Sequence, residues 1–172
     1  IVTTNITGTD LGRDVIIQPD GKIIAAGTGD GNFTLARYNA DGSLDSTFDA
    51  DGKVVANMGG TADCNAAALQ LDGKIVTVGH VWDRGMGVAR FNSNGSPDTS
   101  FHGDGKLNTV ITNNDSAKAV AIQNDGKIVV AGSPNNGTVN FALVRLLGDP
   151  RQSFTNFNGI FPADRTANDN PP

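Results

Sequence analysis

Cys64 is the only cysteine in 172 residues, so the chain forms no internal disulfide and no thiolate metal cluster. Cations are scarce as well: 13 Lys and Arg stand against 18 Asp and Glu, a net charge of -5. No basic stripe is offered to phosphates, and nucleic acid is not an expected partner. No apolar run approaches the roughly 18 residues that a membrane helix needs, so no membrane insertion is expected. The chain carries neither a G-x-S-x-G nucleophile elbow nor a His-Glu-x-x-His zinc helix. It begins at Ile1 rather than Met, which suggests a processed or excised piece whose signal peptide, if any, is gone.

What the chain has in plenty is glycine, 22 residues of it, with Asn, Asp and Thr around it. That balance, with little Lys, resembles a bacterial secreted or surface β protein, and the expected location is extracellular or the cell surface. Sequons at Asn5, Asn32, Asn94 and Asn136 are of the kind that turn-rich sequences produce by chance. The length suits one domain.

The dominant feature is repetition. Gln18 to Gly27 reads QPDGKIIAAG, and the segment returns as QLDGKIVTVG from Gln70 and QNDGKIVVAG from Gln123, 52 and then 53 residues on. A period of this length marks a repeat architecture. Around each copy the chain cycles through short alternating segments: VIIQ, KIIAAG, FTLARYN and VVANM, then NAAALQ, KIVTVG, GVARFN and LNTVIT, then AKAVAIQ, KIVVAG and NFALVRL. IVTTNI (Ile1–Ile6) reads as a further strand. Four short strands per unit of about 50 residues predict an all-β fold, a β-propeller of three four-stranded blades. A β-solenoid is the alternative, although its coils are shorter. Period-2 alternation and glycine density exclude helical repeats.

The run RYNADGSLDSTF, then DGKV, then LQLDGKIVTVG resembles the delta-60 repeat, a bacterial repeat group, and the strand rhythm resembles NHL-type blades. The resemblance covers residues 1–146 and implies a propeller without implying any activity. It places the blades at about 7–58, 59–111 and 112–146. From residue 147 the pattern fails, with LLGDPRQSFTNF in place of NADGSLDSTF and NSNGSPDTSF, so 147–172 is expected to be a C-terminal arm or linker.

Three blades cannot close a ring, and open terminal blades expose apolar faces. A homodimer in which Ile1–Ile6 completes the third blade of the other chain gives a six-bladed ring without free edges. The alternative is that the chain is part of a longer propeller that supplies the remaining blades.

Recurrence separates architecture from function. Asp20-Gly21-Lys22, Asp72-Gly73-Lys74 and Asp125-Gly126-Lys127 are expected hairpin turns. Phe48 and Phe101 are expected to wedge between blades, and Gly27, Gly79 and Gly132 to end the second strands. Arg37, Arg90 and Arg145 recur at the end of the third strand, with Asp45 and Asp98 as natural partners for the first two. Asn39 to Asp45 and Asn92 to Asp98 resemble the later half of a calcium loop. The first ligand position is occupied by Arg37 and Arg90, so an Asx turn is the expected state.

In a propeller the first-to-second and third-to-fourth connections share one face. The unrepeated loops share the other, and binding is expected there. His80, Trp82, Asp83 and Arg84 form one candidate ligand set, joined by Asn113, Asn114, Asn135 and Asn136. The lone Trp82 suits a sugar ring or a protein partner. Asp10, Asp63 and Asp115 precede the first strands and form a candidate metal set, for calcium at a channel mouth. His80 and His102 fall on opposite faces and cannot share a metal. Cys64 is expected to be buried and inert. The expected function is therefore a non-catalytic binding or interaction module. A lectin-like carbohydrate-binding propeller, and a hydrolase or lyase with a channel metal, are the alternatives.

Overall fold

A computed structural model describes residues 1–111, 115–134 and 141–147. Eleven strands and no helix occur among the described residues: β1 (Asp10–Ile17), β2 (Ile23–Gly29), β3 (Asn32–Tyr38), β4 (Lys53–Ala56), β5 (Ala62–Leu69), β6 (Ile75–Val81), β7 (Gly85–Phe91), β8 (Lys106–Thr109), β9 (Ser116–Ile122), β10 (Ile128–Ser133) and β11 (Ala142–Leu146). They form three repeats of antiparallel hairpins. In the first, β1 to β4 pair in chain order. β5 to β8 do the same in the second, and β9 to β11 in the third. A single bridge, His80 with Ser116, joins the second group to the third. The fold is all-β and of the propeller type, as the period predicts.

The recurring turns are built alike. Gln18, Gln70 and Gln123 each exchange backbone hydrogen bonds across the tip with Lys22, Lys74 and Lys127 and with the glycine before them. Gly21, Gly73 and Gly126 hold φ between 81° and 84°, a left-handed conformation that glycine adopts without a Cβ penalty. Every one of the 18 acidic residues in the chain is an aspartate. An aspartate can accept the amide two residues on, and Asp20, Asp41, Asp51, Asp72, Asp104 and Asp125 all do so, at 2.8–3.2 Å. The calcium-like segments are Asx turns accordingly. Asp41 accepts from the amide and hydroxyl of Ser43, and Asn94 accepts from the same groups of Ser96.

The Arg–Asp pairs form as the recurrence predicts. Arg37 Nε lies 2.7 Å from Asp45 Oδ2, and Arg90 Nε lies 2.7 Å from Asp98 Oδ2, with all four side chains buried. Each guanidinium also lies over a recurring phenylalanine ring, 4.5 Å from Phe48 and 4.8 Å from Phe101. Phe48 does sit between repeats: its ring edges against Gly95 in the next repeat's connection. Arg37 also donates to the Ser93 carbonyl there.

Two expectations are corrected. Gly27, Gly79 and Gly132 do not end the second strands but lie inside β2, β6 and β10. A β-bulge sits opposite each, in β1, β5 and β9, and a Cβ would stand 2.0, 1.8 and 2.1 Å from the carbonyl oxygens of Leu11, Asp63 and Ser116. Close backbone approach requires the glycine, and the first strands run on past the bulge into what reads in sequence as polar loop. Ile1–Ile6 is not a strand in this chain. No described strand lies beside it, and a strand without a ladder is not formed. Of the expected arm over 147–172, all but Leu147 lies outside the described residues, as does any fourth strand of the third repeat.

The core lies between repeats. Ile24, Ala26, Phe33 and Leu35 pack on Ile75, Ala89 and Phe91 of the second repeat. Val76, Val78, Met86 and Val88 pack in turn on Ile128, Val144 and Leu146 of the third. Cys64 lies in the first of these clusters, fully buried. Burial pushes its thiol up to about 12. Native protein at pH 8 should leave an aromatic disulfide reagent unreacted over an hour, while the urea-unfolded chain releases one thiol equivalent. Fast reaction of the native protein would contradict this placement.

Candidate functional site

The second β-hairpin of the middle repeat presents the tryptophan. β6 ends in His80-Val81, the chain turns at Asp83 with φ of 60° and Gly85 with φ of 81°, and β7 begins. The Arg84 amide closes the turn on the Val81 carbonyl at 3.0 Å, and the Trp82 amide is anchored to the Thr61 carbonyl at 3.0 Å. The backbone of Trp82 is thus fixed, while its side chain remains 44% exposed.

Trp82 forms one wall of a groove of about 470 Å³ at the junction of the second and third repeats. Asp63, Asn65 and His80 line it from the second repeat, and Ser116, Lys118, Ser133 and Pro134 from the third. The His80 ring meets Trp82 edge to face, with centroids 4.5 Å apart at 70°. Its Nδ1 is 2.8 Å from the Asp115 carbonyl oxygen. A carbonyl only accepts, so Nδ1 carries the proton and Nε2 of the neutral ring is an acceptor. Asn65 is held by its Nδ2 donating to the Ala117 carbonyl at 2.8 Å. The Asp63 carboxylate and the Lys118 ammonium make no hydrogen bond or ion pair among the described residues, so both charges are available to a ligand.

Arg84 is parted from this groove. Its guanidinium lies over Gly59 and Gly60 and lines a second cavity of about 390 Å³ with Asn57, Asp104, Lys106 and Asn108. Asp83 occupies the tip of the turn. The other four candidate ligand residues, Asn113, Asn114, Asn135 and Asn136, lie outside the described residues.

Asp10, Asp63 and Asp115 do not occupy one register position. The ladder partners of Gly27, Gly79 and Gly132 are Gly12, Cys64 and Ala117, preceded by Leu11, Asp63 and Ser116, so Asp10 and Asp115 match each other and Ala62, while Asp63 is one residue further on. Asp10 accepts from the Ile6 amide at 2.8 Å and from Thr7, and the Ile6 bond is the main reason its carboxyl is held below the usual range. Asp115, fully buried, accepts from the Ile111 amide in the same i-to-i−4 relation. These two carboxylates brace the loop ahead of the first strand. Among the described residues no three His, Cys, Asp or Glu side chains gather as metal ligands.

Sequence reasoning did not single out Asn65, Ser116, Lys118, Ser133 or Pro134 as ligand residues. Four of them lie in strands and Pro134 directly follows one, and all but Asn65 become neighbours of Trp82 only when two repeats pack. Their signal is positional: each lies at the same end of its repeat as His80.

Three antiparallel repeats, packed face to face with glycine-backed bulges, define a β-propeller repeat protein. The chain belongs to a family described as "Domain of unknown function (DUF5122) beta-propeller", whose pattern it matches at residues 18–48, 70–101 and 123–149. Each matched stretch starts at the recurring glutamine and takes in the D-G-K turn, the third strand and its arginine. No curated protein matches the chain.

Proposed function

We propose that the chain is a non-catalytic binding module whose ligand lies in the Trp82 groove, and that the ligand is a carbohydrate. The observation that carries this is the exposed Trp82 face in a polar groove between repeats, with Asp63, Asn65, His80 Nε2 and Lys118 around it. A sugar offers an apolar ring face to stack and hydroxyls to both accept and donate. A protein partner anchored by Trp82 is the second reading, favoured by the same exposure.

Within the family the repeat is of the delta-60 type with NHL-like blades. The chain supplies three blades, at about 7–58, 59–111 and 112–146, of a ring that a second copy closes to six. The low lysine content and the Gly, Asn, Asp and Thr richness support a secreted or cell-surface bacterial protein. A hydrolase or lyase with calcium or another metal at the channel mouth has no observation in its favour, since Asp10 and Asp115 are engaged in bracing loops. Metal analysis of the purified protein tests it directly.

Trp82 is the only tryptophan, so its fluorescence reports on this groove alone. Glycans that score on an array should shift its emission on titration, and Trp82→Ala should weaken binding by roughly 2 kcal/mol, about thirtyfold. Asp63→Asn should weaken binding without changing the fold. An array with no hits, or binding that survives Trp82→Ala, removes the carbohydrate reading.

A further inference from the structure

Among the described residues the two ends of the repeat array leave unlike sheet faces uncovered, and the interior of the chain shows what covers each. At the first junction Ile24, Ala26, Phe33 and Leu35 are the covered face of the leading repeat. At the second junction the same strand positions hold Val76, Val78, Met86 and Val88, all at 0% exposure. The ladders align these sets: Ile24 pairs with Arg37, Val76 with Arg90 and Val129 with Arg145. One repeat on, the series reads Val129, Ala131, Phe141 and Leu143. Nothing among the described residues covers that face, and Phe141 is 78% exposed.

The covering face can be followed in the other direction. Val120, Ile122 and Ile128 of the third repeat correspond to Ala67, Leu69 and Ile75 of the second, and these pack at the two junctions. One repeat back stand Val15, Ile17 and Ile23, with Val15 and Ile17 61% and 75% exposed. Ile23 is partly exposed although its two counterparts are fully buried. Among its described residues one chain thus carries, uncovered, both halves of an interface that it already makes twice internally.

The edge strands agree. β3 and β7 each have a fourth strand outside them, β4 and β8, whereas no described strand lies outside β11. Ile1 to Thr9 repeats the β4 segment 52 residues early: Val2, Asn5, Gly8 and Thr9 stand where Val54, Asn57, Gly60 and Thr61 stand, and Ile6 where Met58 stands. In sequence this segment matches an outer strand with its onward link, and no described strand pairs with it.

We infer that the two faces dock on each other between two copies of the chain. The third repeat of each copy receives the first repeat of the other about a two-fold axis, and Ile1–Ile6 adds beside β11 of the other copy. Two equivalent head-to-tail junctions then close the ring, and each repeats the packing of the internal ones. The inference rests on the three-blade reading but not on the Trp82 groove, which lies between the second and third repeats of a single chain.

Light scattering on a sizing column tests it with the whole chain. The expected mass is twice 17.8 kDa. Ile17→Asp and Phe141→Asp, at exposed sites that leave the internal core intact, should each reduce the mass to one chain. Mixing the two variants should restore a dimer, because one of its two junctions is then wild type in both halves. Restoration also shows that both variants are folded. Removing Ile1–Ile6 should weaken the dimer at least tenfold in concentration. A wild-type monomer at 50 µM on the order of working concentrations, or a dimer that ignores either substitution, overturns the inference. A dimer broken by Ile17→Asp alone would mean face-to-face pairing of first repeats and overturns it equally. Loss of glycan binding with the mass unchanged bears only on the groove.

Discussion

Replacing Arg90 with methionine lowers the stability of the fold by about 3–5 kcal/mol, the usual cost of leaving one member of a buried ion pair without its partner. Both side chains of the Arg90–Asp98 pair are nearly inaccessible, at 3% and 6% exposure. Asp98 keeps its bonds from the Ser100 amide and hydroxyl but loses its neutralising charge. The ring of Phe101 loses the guanidinium that lies over it. The loss should appear as a lower urea midpoint at unchanged m-value. Lys74→Met removes a more exposed pairing with Asp72 and should stay within about 0.5 kcal/mol of wild type. If the two variants behave alike, the arginine pairs are not what holds the connection to the blade.

The same pair fixes the sign of the pH dependence. Burial is the largest single influence on Asp98 and raises its pKa, but Ser100 and Arg90 together outweigh it and hold the carboxyl below its ordinary value. Asp45 is held lower still, by the Thr47 hydroxyl first, then by Lys22 and the remaining donors. A carboxylate whose folded pKa is depressed contributes stability that is fully present above its unfolded value, about 3.9, and is lost as pH falls toward the folded one. Acid unfolding of the wild type should therefore set in below about pH 4. In Arg90→Met it should begin at higher pH.

Recurrence made the architecture legible. The D-G-K turns and the Arg37–Asp45 and Arg90–Asp98 pairs each appear at one spacing in successive repeats, and the structure builds them on the same backbone bonds and the same Arg–Asp contact, with Lys22 an added partner of Asp45. Features that depend on a neighbour were not legible in the same way. Asp10, Asp63 and Asp115 look alike as acids, yet the 52- and 53-residue offsets put Asp63 one residue out of step, and the ladder opposite the glycines agrees. The groove was visible as Trp82 and His80, with Asp63 singled out in another role, because Ser116 and Lys118 arrive from another repeat. Polar strand starts such as Asp10 to Gly12 read as loop because a bulge relieves them of strict alternation. What an individual segment encodes locally was available from the sequence, whereas what two repeats make by packing was not.

The glycines of the second strands give the sharpest test of that packing. Gly79→Ala puts a Cβ 1.8 Å from the Asp63 carbonyl oxygen and 2.9 Å from Cys64 Cα, both backbone atoms that no rotamer change can move. Relief requires the bulge in β5 to shift. That bulge holds Asp63 in the groove and places the Cys64 amide on the Thr28 hydroxyl of the neighbouring repeat, at 3.0 Å. The expected cost is about 3 kcal/mol or more, at the upper end of overpacking. Gly12→Ala is the control: it lies in the β1 bulge region, its added Cβ meets nothing within 4 Å, and its backbone is not left-handed. It should be neutral, or stabilising by about 0.4–1 kcal/mol through the unfolded chain. Thermal unfolding of the two variants separates the explanations. A large loss in Gly79→Ala with none in Gly12→Ala places the requirement for glycine in the close approach of two strands. Equal losses would place it in the backbone freedom of glycine itself, and the recurring G of KIIAAG, KIVTVG and KIVVAG would need another cause.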